Sequence, residues 1–169
     1  MTMVMRDRIL PEVSQCEKRA CRYPPSGPAG SRMGRMSDDA FDLSRTFVHL
    51  GLGARAIPLP DFEWSADYLT GYEEEHAADG DEGRLVMMGP QDRTWTSWER
   101  HPAGEEVVVL LSGRVDLVQD LDGQENVVEL RPGQAVINPA GVWHRSVVHE
   151  PGQAIFITPG RGTEHRPLV

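Results

Sequence analysis

From Gly83 onward, short apolar runs alternate with turns containing Gly and Pro, and this texture limits the fold more than any other feature of the chain. Eight runs read as strands: Arg84–Met88, Arg93–His101, Glu106–Leu111, Arg114–Gln119, Glu125–Leu130, Gln134–Asn138, Trp143–Val148 and Gln153–Thr158. The connectors Ser112-Gly113, Asp122-Gly123, Arg131-Pro132-Gly133, Pro139-Ala140-Gly141 and Pro151-Gly152 carry turn residues, since Gly takes up positive φ and Pro arrives with φ already fixed. Strands this short and evenly spaced predict an all-β, antiparallel sandwich or barrel, in which closure or double-layering protects the sheet edges.

Upstream the pattern differs. Phe47-Val48-His49-Leu50 and Ala54-Arg55-Ala56-Ile57 read as two short strands joined by Gly51-Leu52-Gly53. Trp64, Tyr68, Tyr72 and His76 then recur every fourth residue, the spacing of one helical face, and predict a helix over 62–78 that Asp79-Gly80-Asp81 stops. Glu73, Glu74 and Glu75 read as its solvated face. Residues 1–36 mix charge with Pro24, Pro25, Gly27, Pro28, Gly30 and Gly34 without hydrophobic period, and predict a disordered basic leader. Methionines at 33 and 36 offer alternative starts downstream of it. The domain organisation expected is therefore a leader (1–36), N-terminal strands and helix packed on the barrel (37–92), and barrel core with tail (93–169).

A formal charge of −9 argues against nucleic acid or an anionic membrane as the main partner, both of which select clustered Lys and Arg. The basic residues that do cluster lie in the leader, seven Lys/Arg against three acids over 1–35. Both cysteines, Cys16 and Cys21, lie there too, too few for a structural zinc site and giving no disulfide framework. Without an apolar run long enough to span a bilayer or serve as a secretory signal, the expected compartment is the cytoplasm.

Candidate chemistry concentrates in Trp98–Glu106. Glu99 and His101 are two apart, so on a strand they leave the same face, and the reversal at Pro102-Ala103-Gly104 would bring Glu105 or Glu106 back beside them. Extended to Gly113, the spacing is E-x-H-x4-E-x6-G; downstream, Gly133 to His144 reads G-x5-P-x-G-x2-H. Together these stretches resemble the two motifs of the cupin superfamily, over about residues 93–158. There the first motif normally opens on a histidine and the second normally closes, four residues after its own histidine, on an asparagine. Here those positions are Glu99 and Val148.

The resemblance implies a double-stranded β-helix, or jelly-roll barrel, holding one divalent metal on Glu99, His101, Glu106 and His144. Two imidazoles with carboxylate oxygens suit Fe(II), Mn(II), Ni(II) or Zn(II), and a carboxylate in place of a histidine moves the preference from zinc towards iron or manganese. Alternatively Glu99 is no ligand but a general base beside an open coordination position. Strand parity places Trp95 and Ser97 with Glu99, and Val108 and Leu110 with Glu106, as the substrate pocket; Trp98 faces away, and Val108 and Leu110 equally suit ordinary core. His49, His76 and His149 read as surface or satisfied histidines, and His165 as a pocket-rim residue. The function this implies is a metal-dependent enzyme on a small organic molecule, a dioxygenase before an isomerase or lyase. The alternative is a non-catalytic module binding a metal or small ligand. Family habit and the outward residues Val107, Val109 and Leu111 suggest a homodimer, although burial under residues 46–90 would suit them equally.

Overall fold

The computed structural model describes residues 40–168, so the expectations placed on the leader, on Cys16 and Cys21 and on the alternative starts lie outside the described residues. The chain begins with a hairpin, β1 (Thr46–Gly51) and β2 (Arg55–Pro60), close to the expected pair. Its turn places Gly53 and Ala54 at φ 75° and 57°. Helix α1 follows over Ala66–Glu75, shorter than expected. Ser65 sets its start by accepting a hydrogen bond from the Tyr68 N–H, satisfying an amide that the first turn leaves unpaired. Trp64 therefore precedes the helix and is 65% exposed. The helix ends at Glu75, and a 3-10 segment, Ala77–Glu82, follows with Gly80 at φ 54°. Asp79 is thus not simply a helix stop; it is buried.

Seven further strands complete the fold: β3 (Arg84–Gln91), β4 (Ser97–Arg100), β5 (Glu106–Leu121), β6 (Gln124–Leu130), β7 (Ala135–Asn138), β8 (Trp143–Pro159) and β9 (Glu164–Pro167). Ser112-Gly113 and Pro151-Gly152, expected as turns, lie inside the long strands β5 and β8, where the pairing register slips between Leu110 and Val115. Gly113, at φ 85°, lets the bulged strand bend and continue. Asp122-Gly123 is a true two-residue turn, with φ of 56° and 84° between the paired Leu121 and Gln124, the geometry that matches strand twist in a hairpin. β9 was not among the expected strands.

The two bent strands generate the double layer. The first half of β5 pairs with β7 and with the last part of β8; its second half pairs with β6 and with the first part of β8. β3 adds to the last part of β8, and β1 and β2 extend that sheet. β4 joins the first part of β8 and carries β9. This antiparallel jelly roll agrees with the all-β expectation. Alternate residues Val108, Leu110, Val115 and Leu117 point inward to meet Leu130, Val136, Ala154 and Phe156 in the core. Each of the Val, Leu and Phe side chains contributes about 1.5–3 kcal/mol by leaving water. Since β1–β3 lengthen the sheet rather than cover it, Leu111 and Ile137 remain exposed on its outside.

Candidate metal centre

Sheet register assembles the site. Residues opposite each other in a ladder share a face, and one row crosses five strands: Asn126 on β6 faces Gln119 on β5, Gln119 faces His144 on β8, His144 faces Glu99 on β4, and Glu99 faces His165 on β9. A second pair, Glu106 on β5 and Asn138 on β7, comes from the other layer. The two sets meet inside the barrel. His144 Nε2 lies 3.1 Å from Glu106 Oε2 and 3.9 Å from Glu99 Oε2; His101 Nε2 lies 3.5 Å from Glu106 Oε1. Donor atoms of Glu99, His101 and His144 all fall within 4.8 Å of one another. Donors each about 2.1 Å from a common ion stand about 3–4 Å apart, so this spacing fits a single cation.

The buried polar groups fit one as well. His144 is 0% exposed, and its Nδ1–H donates to the Val142 carbonyl at 3.1 Å, which turns Nε2 inward. Glu106 Oε2 is close but lies off the line of a ring N–H, and Nε2 is left without a hydrogen-bond partner. A buried nitrogen in this state is costly unless something coordinates it. The ring of His101 is held by the hydroxyls of Thr163, at 3.0 Å from Nδ1, and Thr158, at 3.2 Å. Asn138 donates from Nδ2 to Glu106 Oε2 at 2.9 Å and accepts on Oδ1 from Gln119 Nε2 at 2.9 Å, while Gln119 Oε1 accepts from Asn126 at 3.0 Å. This chain fixes the carboxylate that faces both histidines, as outer partners of metal ligands do.

Electrostatics separates the two carboxylates. Burial acts to raise the Glu106 carboxyl, but the neighbouring His101 and His144 imidazoles outweigh it and hold it at about 2. Burial and the neighbouring Glu106 charge push Glu99 up, against the opposing pull of His101, His144 and His165. Desolvation works to lower His144, yet Glu106, the Val142 carbonyl and Glu99 raise it on balance. Two carboxylates facing one pocket repel, and a divalent cation removes the conflict.

Of the expected pocket residues, Trp95 lines a cavity of about 540 Å3 that also reaches Glu99, His101 and Glu106. Ser97 lies instead beside a shallow outer groove with Pro90 and Arg93. Val108 and Leu110 are core, in contact with Val136 and Ala154, and the apolar side chain that reaches the cavity from their neighbourhood is Phe156, opposite Val108 in the ladder. Trp98 does face away, covered by the guanidinium groups of Arg145 and Arg166 at 5.1 and 5.3 Å. His165, on β9 rather than after the last strand, reaches Glu99 Oε1 at 3.2 Å and lines the cavity. The N-terminal segment supplies the opposite wall through Trp64, Leu69 and Tyr72.

His49 and His149 are satisfied, His149 by Asp116 at 2.7 Å and His49 by Tyr72 and Asp79, whereas His76, expected to be surface or satisfied, has its Nε2 buried without a hydrogen-bond partner. His49, His76 and Asp79 offer donor atoms within 4.8 Å of one another. They do not make a second metal centre: the imidazoles stack at 3.7 Å and 18°, so their in-plane lone pairs run side by side rather than converge. Asp79 already accepts from His49, Leu52 and Arg55. Asn138, Gln119, Thr158 and Thr163 went unread in the sequence because each matters only through a partner 19 to 62 positions away.

Residues 84–158 match the family described as Cupin domain. The matched residues run from β3 to the end region of β8. Among solved structures the chain is similar to a cupin-2 domain containing protein from Shewanella frigidimarina, at 20% identity over 45% of this chain and 70% of that one, TM-score 0.39. It is similar to a conserved protein with a double-stranded β-helix domain from Klebsiella pneumoniae, at 20% identity over 50% and 76%, TM-score 0.43. It is also similar to hydroquinone 1,2-dioxygenase from a Sphingomonas species, at 14% identity over 45% and 59%, TM-score 0.39. No curated protein matches the chain. Among the described residues no helix is long and apolar enough to cross a membrane.

Proposed function

We propose that the barrel is a metal-dependent enzyme acting on a small organic molecule, with Glu99, His101, Glu106 and His144 holding one divalent cation and a dioxygenase favoured over an isomerase or a lyase. The observation that carries this reading is His144 Nε2, buried, without a hydrogen-bond partner, and 3.1 Å from a carboxylate oxygen. Two imidazoles and two carboxylates favour Fe(II) or Mn(II) over Zn(II) or Ni(II). A cation in this shell supplies Lewis acidity, or a point at which substrate and O2 meet. The chain's own residues do the remainder. Trp95, Tyr72 and Phe156 exclude water from the cavity, and in the alternative in which Glu99 is no ligand, its carboxylate, with His165 beside it, is placed to take up or return a substrate proton. The outward face of Val107, Val109 and Leu111 suits pairing of two such chains, and residence in the cytoplasm completes the reading.

Oxygen uptake with a panel of small aromatic and enediol substrates tests it. Metal-loaded protein is expected to consume O2, and a His101→Ala variant is not. Turnover without O2 uptake would move the assignment to an isomerase or lyase. Metal binding with no turnover would leave a metal- or ligand-binding module, and a protein that takes up no metal would end the proposal.

The role of Glu99 has its own expected outcome. Glu99→His keeps a fourth donor and is expected to move the ratio of Zn(II) to Mn(II) affinity towards zinc by about tenfold, ~1.4 kcal/mol, in a competition titration. Unchanged selectivity would put Glu99 outside the coordination shell and leave it the general-base role.

A further inference from the structure

Tyr72 projects from α1 into the wall of the cavity that holds the metal centre, and it is 6% exposed. Its phenol oxygen lies 2.8 Å from His49 Nδ1, and His49 Nε2 lies 2.9 Å from Asp79 Oδ2. Asp79 in turn accepts from the Leu52 N–H at 3.0 Å and from Arg55 at 2.8 and 3.1 Å. The hydrogen positions follow from this chain. Hydrogen bonds from His49 and Leu52, with Arg55, hold the Asp79 carboxyl at about 2, so it is ionised and only accepts. Neutral His49 therefore carries its hydrogen on Nε2, leaving Nδ1 a bare lone pair, and Nδ1 accepts from the Tyr72 hydroxyl.

Burial and the charge of Asp79 push the Tyr72 phenol far up, so the hydroxyl keeps its proton. With that proton committed to His49, the lone pairs of the phenol oxygen remain free, and among the described residues no other side chain donates to it. Gly160 makes room for the oxygen: a Cβ there would stand 2.5 Å from it, and Gly160 lines the same cavity. A tie between helix and sheet needs neither a fixed tautomer nor a wall residue without a side chain beside the hydroxyl.

We propose that Tyr72 is a ligand-orienting hydrogen-bond acceptor: Asp79 and His49 hold its hydroxyl hydrogen away from the cavity, so that its oxygen receives an O–H or N–H from a small apolar or aromatic molecule. Trp64, Trp95 and Phe156 supply the apolar contact for the rest of that molecule. This rests on the reading of the cavity as the substrate chamber, and it adds the requirement that the substrate carry a donor facing α1, opposite the metal floor.

Phenol and anisole are suitable probes, being similar in shape and differing in the donor. Their affinities are measured by calorimetry for the metal-loaded protein and again after chelation, because phenol could otherwise win by binding the metal. The native protein is expected to prefer phenol by about 3- to 10-fold in both states, the size of one hydrogen bond. Tyr72→Phe keeps the ring and is expected to abolish the preference while leaving anisole affinity within twofold. His49→Gln, which frees the hydroxyl to rotate, is expected to reduce the preference without removing the oxygen. A preference that persists in Tyr72→Phe overturns the role of Tyr72 and leaves the chamber intact. Failure of both probes to bind native protein in either state overturns the chamber reading and this inference with it.

Discussion

His144→Ala is expected to reduce bound divalent metal from about one equivalent per chain to less than ~0.1 after dialysis, a loss of affinity of at least ~100-fold. The imidazole is fully buried, its tautomer is set by Val142, and it lies opposite Glu99 in the same row that carries Gln119. No neighbouring donor can swing into its place, since Glu106 is already tied to Asn138 and His101 to Thr158 and Thr163. Asn138→Ala makes a graded comparison: every ligand remains, but the carboxylate is no longer held, and the expected loss is about 10- to 100-fold. Asp79→Asn belongs in the same experiment. It alters the other histidine–carboxylate cluster, where stacked rings cannot converge, so stoichiometry should stay at about one. A full equivalent retained by His144→Ala, or a second equivalent lost with Asp79→Asn, would refute this placement of the ion.

The candidate centre is legible in the sequence to the extent that local spacing determines it. Glu99 and His101 two apart, a Pro/Gly reversal and Glu106 beyond it are a hairpin-scale pattern, and turn chemistry limits how such a segment can fold. What spacing could not show is register. That His144, Glu99 and His165 form one row, with Gln119 and Asn126 behind them, depends on strand pairs as far as 66 residues apart sliding into one alignment. The same limit explains Tyr72, His49 and Asp79, which looked like a helix face, a satisfied histidine and a helix stop. Ser97, two before Glu99 and assigned to the same face, reaches only an outer groove because β4 is just Ser97–Arg100 and its edge residue leaves the barrel mouth. Val108 and Leu110 point inward as parity predicts, but both are packed in the core and neither lines the cavity.

Gly152→Ala is expected to destabilise the protein by about 3 kcal/mol or more in urea unfolding. Gly113 and Gly152 read as turn residues, and Gly113 does need positive φ, but the pair has another role: they are where β5 and β8 cross. A Cβ on Gly152 would overlap the Ser112 carbonyl and stand 2.7 Å from the Gly113 nitrogen, while one on Gly113 would stand 2.5 Å from the Glu150 oxygen. These obstacles are backbone, so no rotamer change relieves them; the strands must separate or lose ladder bonds. Because β5 starts at Glu106 and β8 carries His144 at its other end, a shift at the crossing alters how the two layers bring their ligands together. Metal affinity should therefore fall together with stability, although Gly152 touches no ligand. Gly71→Ala supplies the contrast. In the exposed middle of α1 nothing lies within 4 Å of the added carbon, and the helix should gain about 0.5–1 kcal/mol from reduced chain entropy. If Gly152→Ala cost less than ~1 kcal/mol, the close passage of β5 and β8 would not be what turns two strands into both layers of the barrel.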